Sequence, residues 1–525
     1  MDRRAFLTAA TAGLLASPAW AAPASAAPSR TLRSDPFTLG VASGDPSADG
    51  FVLWTRLAVE PLSGDGRGGM PSRDVEVDWQ VAADERFTTV VRSGTATARA
   101  RDAHSVHVEL GGLEPGRDYF YRFRSEGRLS PAGRTRTTPT GGTTPLTFAV
   151  AACAHYEHGY YTAYRRLAEQ EPDLVVFLGD YMYEYGPSGY TALAGRVRTH
   201  TPGKCRTLAD YRLRHAQYKS DHDLQRAHAT APWLVAFDDH EIENNWAGST
   251  SSTGAADFAG RRAQAFRAYY ENMPLRRGSL QGAVLRVNRR VSWGTLARFH
   301  LLDTRQFRDD QACLDGVRAG CDERLADGRT LLGAGQWRWL EDGLRGSTAR
   351  WNLLGQQIMV AQRDYKIGPG REVNLDSWDG YAAERGRLLD ALARTPNPVV
   401  LTGDAHMHHL AELKRDFDDP DAPVVARELV ASSIASDGDG YRDRTWIAEA
   451  LQENPHFSYI DQRRGYLMGR LTQDELSVDF RTLDYISRRG AQARTSHRLT
   501  IPAGEDAAAA SRAAAAAAPP ARPVS

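Results

Sequence analysis

Asp180 and Tyr183 follow directly on the apolar run Leu174-Val-Val-Phe-Leu178, separated from it only by Gly179. A carboxylate and a phenol set at the end of a buried strand can hold a hard cation, and one carboxylate has oxygens enough to bridge two. The same event recurs four more times. Residues 147–153 end in Cys153 and lead to His155; 233–237 lead to Asp238, Asp239, His240 and Glu241; 299–302 lead to Asp303, Thr304 and Arg305; and 398–402 lead to Gly403, Asp404 and His406. Thiol, phenol, carboxylate and imidazole groups brought together without a glycine-rich phosphate loop point to a two-metal hydrolase.

Those runs lack the alternation of half-exposed strands, so they read as parallel strands covered on both faces. A doubly wound sheet would gather their carboxyl ends along one edge, where open α/β sheets place ligands. Helices expected over 162–170, 258–270, 334–344 and 381–393 supply the crossovers. Before them, residues 35–139 alternate apolar and polar at Val75, Val77, Trp79 and Val81, at Val106 and Val108, and at Tyr119, Tyr121 and Phe123. That period of two predicts a small β-sandwich, and the turn at 113–119 resembles one in fibronectin type III modules. The Thr/Gly/Pro-rich stretch 137–145 reads as a linker.

The strings LGDYMYEYG, FDDHEIENNWAG, LLDTRQFR, WDGYAAER and LTGDAH, in this order, resemble the successive motifs of the alkaline phosphatase D family, a branch of the calcineurin-like metallophosphoesterases. The resemblance runs from about residue 36 to about residue 500. It implies a fibronectin III-like β-sandwich followed by a metallophosphatase αββα sandwich over 146–500, and hydrolysis of phosphate esters by attack of metal-bound hydroxide. It further implies iron(III) held by Cys153, Tyr183 and His406, calcium held by Asp239 and Asp404, and Asp180 bridging the two. Asn245 is a weaker candidate for the calcium side. His240, beside Asp239, would steady the phosphoryl group or protonate the leaving oxygen. Arg305 would either clamp phosphate with its guanidinium fork or form a salt bridge to Asp303 or Asp309. Two other readings stand beside this one: a phospholipase D-like phosphodiesterase on the same fold, and a non-catalytic surface module, whose mark would be lost ligands.

Basic and acidic residues balance at 65 each, so no global field marks a nucleic-acid binder. Residues 1–26, with Arg3-Arg4-Ala-Phe-Leu7 ahead of an Ala/Leu-rich stretch, have the form of a twin-arginine export signal with more than one acceptable cleavage bond. The expected partners are therefore a phosphate mono- or diester and, during export, the twin-arginine translocase. The expected location is periplasmic or extracellular, with no membrane anchor after cleavage. Cys313 and Cys321 share a short Gly/Asp-rich loop where a disulfide can close, leaving Cys205 an odd, buried thiol. The Ala/Pro-rich residues 504–525 read as a disordered tail.

Overall fold

The computed structural model describes residues 32, 34–201 and 203–504; the expected export signal and nearly all of the expected tail lie outside them. The five anticipated strands form, as Leu146–Ala151, Leu174–Leu178, Pro232–Ala236, Ala297–Leu301 and Pro398–Thr402. They do not share one doubly wound sheet. The first three sit side by side in a nine-stranded sheet, and the last two in a seven-stranded sheet with Trp351–Gly355 between them. An apolar run reports burial on both faces but not what buries it, and here a second sheet replaces one helical layer.

Alternation along Leu174–Leu178 shows the layering. Leu174, Val176 and Leu178 point into a core shared with Phe299, Leu353 and Leu401 of the other sheet. Val175 and Phe177 point outward to Tyr164, Tyr218 and Tyr269 of the helices Thr162–Ala168, Leu208–Lys219 and Phe258–Asn272. On the far side, Leu354 and Val400 of the second sheet meet Leu340 and Leu388 of Gly333–Arg345 and Ala382–Leu392. Helices therefore flank two facing sheets. Among the described residues no helix is long and apolar enough to cross a membrane.

The amino-terminal region is β-rich. Val75–Ala82, Val90–Ala98, Asp118–Ser125, Arg128–Leu129 and Gly133–Arg136 make a five-stranded sheet. Its residues Val77, Val81, Tyr121 and Phe123 pack on Phe51, Leu53, Val106 and Val108. The strands bearing these last residues, with Val41–Gly44, are also the outer strands of the nine-stranded sheet, joined to it by the parallel pairs Ser43 with Pro232 and Gly44 with Trp233. The two regions thus share one continuous sheet. Residues 139–142 of the expected linker are tied down, the Pro139 and Gly142 carbonyls accepting from the N–H groups of Gly294 and Thr295. Cys313 and Cys321 are disulfide-bonded, and Cys205 is a buried free thiol.

Gly179, the turn residue before Asp180, has φ +102°, and a Cβ there would lie 2.5 Å from Asp238 Cβ and 2.7 Å from Asp238 N. Gly179→Ala is therefore expected to lower stability by about 3 kcal/mol through backbone strain and overpacking, as read by denaturant unfolding. An unchanged midpoint would contradict this close packing of the two strand ends.

Candidate active site

The chain turns sharply through left-handed residues directly after the strands Leu146–Ala151, Leu174–Leu178 and Pro398–Thr402, and again at Asn245 beyond Pro232–Ala236. Cys153, Asp180, Asn245, Asp404 and His406 all have φ between +51° and +57°. Non-glycine residues seldom adopt this region, and they persist there only where their surroundings over-determine them. Three sets of hydrogen bonds do so. The N–H groups of Cys153 and Ala154 donate to the carbonyls of Gly179 and Asp180. The Glu241 carboxylate accepts from the N–H groups of Asp180, Tyr181 and Asp238 at 3.2, 2.6 and 2.9 Å, stapling the second strand end to the third. The segment after Val424–Val430 crosses from the other sheet, where Ile434 and Ala435 donate to the carbonyls of Ala152 and Cys153.

The result is a convergence of donor atoms drawn from both sheets. Sγ of Cys153 and side-chain atoms of Asp180 and His406 lie within 4.8 Å of one another. The Tyr183 phenol completes that group, its oxygen 2.9 Å from Asp180 Oδ2, 3.1 Å from His406 Nε2 and 2.7 Å from Ser436 Oγ. Asp180, Asp239 and His240 form a second group within the same limit. Asp180 belongs to both. Asp404 is in neither, although its charge is felt at the Cys153 thiol. Asn245 donates its N–H to Asp239 Oδ2 at 2.6 Å, and its side-chain nitrogen is committed to Asp315 Oδ2, also at 2.6 Å.

Four residues not expected from the sequence hold these groups. Glu184 Oε2 lies 3.0 Å from His240 Nδ1, fixing a ring that stacks on Tyr183 with centroids 4.1 Å apart. Asp437 Oδ2 lies 2.8 Å from His406 Nδ1, turning Nε2 toward Tyr183. Ser436 reaches the Tyr183 oxygen. Asp376 accepts from Arg305 Nη1 at 2.8 Å. Glu184 stands four positions after Asp180 in a motif already singled out, so its acidity was a usable signal; Asp376, Ser436 and Asp437 lie in irregular segments with no periodic cue.

Arg305 is placed otherwise than expected. It is fully buried, with Nε 2.6 Å from Asp238 Oδ1 and Nη1 bonded to Asp376, while Nη2 lies 3.9 Å from Asp239. Neither Asp303 nor Asp309 pairs with its side chain; Asp303 accepts only its backbone N–H. Two arms of the fork are spent on carboxylates, which leaves Nη2 alone for any other partner. His408 and His409 are buried on the strand His408–Lys414, away from the donor set, where His408 accepts from Ser432 N–H.

The electrostatics are those of negative charge short of a counter-ion. Burial, then repulsion from Asp239, Asp238 and Glu241 against the attraction of His240, holds Asp180 well above the usual carboxylate range. Burial with Asp238, Asp239 and Asp376 does the same to Asp404. Burial also pushes the Cys153 thiol and Tyr183 phenol far up, and neighbouring carboxylates add to both shifts. Glu241 is raised to about 8 by burial, despite its backbone N–H bonds. His240 is raised as well, but there the rise favours charge: burial favours the neutral ring, and Asp239, Asp180 and Glu184 outweigh it and hold the imidazole well above its ordinary value.

Comparison with known proteins agrees with this geometry. Residues 148–480 match the family profile described as PhoD-like phosphatase, and residues 21–139 match that of its N-terminal domain. The chain is 46% identical over 508 residues to alkaline phosphatase D of Bacillus subtilis (strain 168), spanning 94% of this chain and 86% of that protein. The solved structure of PhoD is similar with a TM-score of 0.88 at 46% identity, covering 91% of this chain and 92% of that one. This chain belongs to the PhoD-like phosphatase family and is a phosphoric ester hydrolase.

Proposed function

We propose that the protein is an exported, cation-dependent phosphoesterase whose amino-terminal fibronectin III-like sandwich supports a metallophosphatase αββα domain, and whose site holds iron(III) and calcium. The single observation that carries the metal reading is the donor set itself. Cys153, Asp180, Tyr183 and Asp404 are all driven toward their neutral forms by burial and by one another. A buried group so penalised becomes a good ligand once a cation offsets the repulsion. Thiolate, phenolate and imidazole suit iron(III) at Cys153, Tyr183 and His406; the carboxylates Asp239 and Asp404, with the Asn245 amide oxygen, suit calcium; Asp180 serves both. When bound, such ions would supply positive charge to the phosphoryl group and acidify a water for attack.

The remaining tasks fall to side chains. His240 is oriented by Glu184, whose carboxylate favours the protonated ring, and its Nε2 makes no hydrogen bond within the described residues. It is thus equipped to give a proton to the leaving oxygen. Arg305 acts as a fixed counter-charge: it holds Asp376 below the usual carboxylate range and opposes the rise that burial imposes on Asp238, while Nη2, facing Asp239 at 3.9 Å, is the one arm left for a phosphoryl oxygen. The substrate is a phosphate mono- or diester, and delivery to the periplasm or beyond would be by the twin-arginine translocase.

His240→Ala should slow hydrolysis of alkyl phosphate esters by about 10²–10⁴-fold while leaving activated aryl esters within severalfold, because only the poor leaving group needs a proton. Parallel steady-state assays on the two ester types test this, and equal losses on both would reassign His240 to phosphoryl binding.

The metal reading predicts a visible thiolate and phenolate charge-transfer band in protein matured through its own export route. Cys153→Ala should weaken that band, and Asp180→Asn should cut kcat by more than about 100-fold, beyond what loss of a supporting residue does. Absorption spectra, elemental analysis and chelator treatment with calcium add-back check it; a colourless, iron-free and fully active enzyme would sink the iron assignment.

A further inference from the structure

We propose that Asp315, carried on the loop closed by the Cys313–Cys321 disulfide, is a positioning residue for the oxygen-donor half of the active site. The inference rests on the reading of Asp239 as a calcium ligand. Asn245 is gripped at two points: Asp315 Oδ2, on the loop, accepts from its side-chain nitrogen at 2.6 Å, and Gln311 Nε2, two residues before the disulfide, donates to its carbonyl at 2.8 Å. Asn245 in turn donates its N–H to Asp239 Oδ2 at 2.6 Å. Gln311 also donates to Asp376 Oδ1 at 2.7 Å, the same oxygen that receives Arg305 Nη1. The segment 311–315, which runs into the disulfide loop, therefore touches both the support of Asp239 and the counter-charge beside it.

That loop is built on backbone that needs bracing. Cys313, Leu314, Asp315 and Gly316 run through four successive left-handed conformations, with φ of +47°, +66°, +67° and +84°. Leu314 is 92% exposed, so burial of its large side chain does not anchor the turn. Its anchors are the cross-link to Cys321, which packs with Ala312, Val373 and Leu375, the short antiparallel pairing of Val317–Arg318 with Val373–Asn374, and hydrogen bonds from Cys313 N–H to Glu323 Oε2, from Asp315 N–H to the Ala312 carbonyl, from Arg318 Nε to the Asp315 carbonyl and from Leu375 N–H to the Gly316 carbonyl. Such a conformation relaxes when it is no longer over-determined. The disulfide, remote from the reacting atoms, thereby becomes part of the calcium side's geometry, as groups that orient ligands commonly are.

The test compares wild type with Asp315→Ala, Asp315→Asn and a Cys313→Ser/Cys321→Ser double variant. Calcium affinity is measured by calorimetry on protein stripped of divalent ions, and hydrogen exchange is followed over 238–248 and over 174–178. Asp315→Ala should bind calcium roughly 10–100-fold more weakly, the range for loss of a ligand's supporting partner. Asp315→Asn keeps an oxygen to accept from Asn245 and should stay within severalfold of wild type; the double variant should fall between. Exchange should quicken over 238–248 in the Ala and double variants but not over 174–178. Unchanged calcium affinity and unchanged exchange in Asp315→Ala would overturn the proposal, as would exchange accelerated equally throughout the chain, which marks a merely structural role. A wild-type protein that binds no calcium, yet shows the local acceleration in Asp315→Ala, would remove the calcium reading and retain the brace.

Discussion

Buried negative charge governs this molecule more than any single contact. Asp180, Asp238, Asp239, Glu241 and Asp376 are brought together where water is largely excluded, with the half-buried Asp404 beside them, and the buried guanidinium of Arg305 faces only some of them. Carboxylates crowded this way repel one another and lose hydration, so the arrangement is costly until positive charge arrives. The architecture can be read as the means of imposing that arrangement. Strand ends from two sheets are turned through left-handed residues, then tied by the Glu241 carboxylate and by the 432–437 segment that passes from one sheet to the other. Removing one partner of such a buried set leaves the others uncompensated, a loss typically of about 3–5 kcal/mol.

Two halves of the site are braced differently. On the side of Cys153, Tyr183 and His406, the supporting groups Ser436 and Asp437 lie on the crossing segment, which Arg464 fixes by donating to Ser433 Oγ and to the Ser436 carbonyl. Arg464 is itself fully buried, so this brace is part of the inter-sheet packing. On the side of Asp239, support comes from a surface loop cross-linked onto itself. The site is thus shared between a rigid inner wall and a stapled outer loop.

The strand ends were legible in the sequence because a strand covered on both faces must be an uninterrupted apolar run, and a polar group directly after it has few places to go. The helices Phe258–Asn272 and Gly333–Arg345 were legible as the crossovers that successive parallel strands require. What could not be read was partnership. Nothing local distinguishes a sheet covered by helices from one covered by a second sheet, hence the mistaken expectation of a single doubly wound sheet. Nor does anything near Arg305 announce Asp238 and Asp376, 67 and 71 positions away. Glu184, Asp376, Asp437 and Asp315 act through other residues and stand on irregular backbone, where neither periodicity nor a strand boundary marks them.

The helix Leu208–Lys219 was missed for a reason that bears on function. Its buried residues include Arg212, Arg214, His215, Gln217 and Lys219, so it has almost no apolar stripe to detect. Burying so many polar groups is unfavourable unless each finds a partner, and the partners are telling. Arg214 donates to the carbonyl of Tyr183, and the Tyr218 hydroxyl accepts from the N–H groups of Tyr183 and Tyr156 at 3.1 Å each. The helix therefore holds the backbone of Tyr183 from both sides, while Arg212 anchors the helix itself through a buried pair with Glu271. Tyr183 must sit with its oxygen among Asp180, His406 and Ser436, on a loop with no strand of its own beyond Leu178. A greasy helix could cover the sheet equally well, but it would offer that loop no hydrogen bonds. The polar face that hides the helix from a hydrophobic-pattern reading is thus the feature that positions the tyrosine.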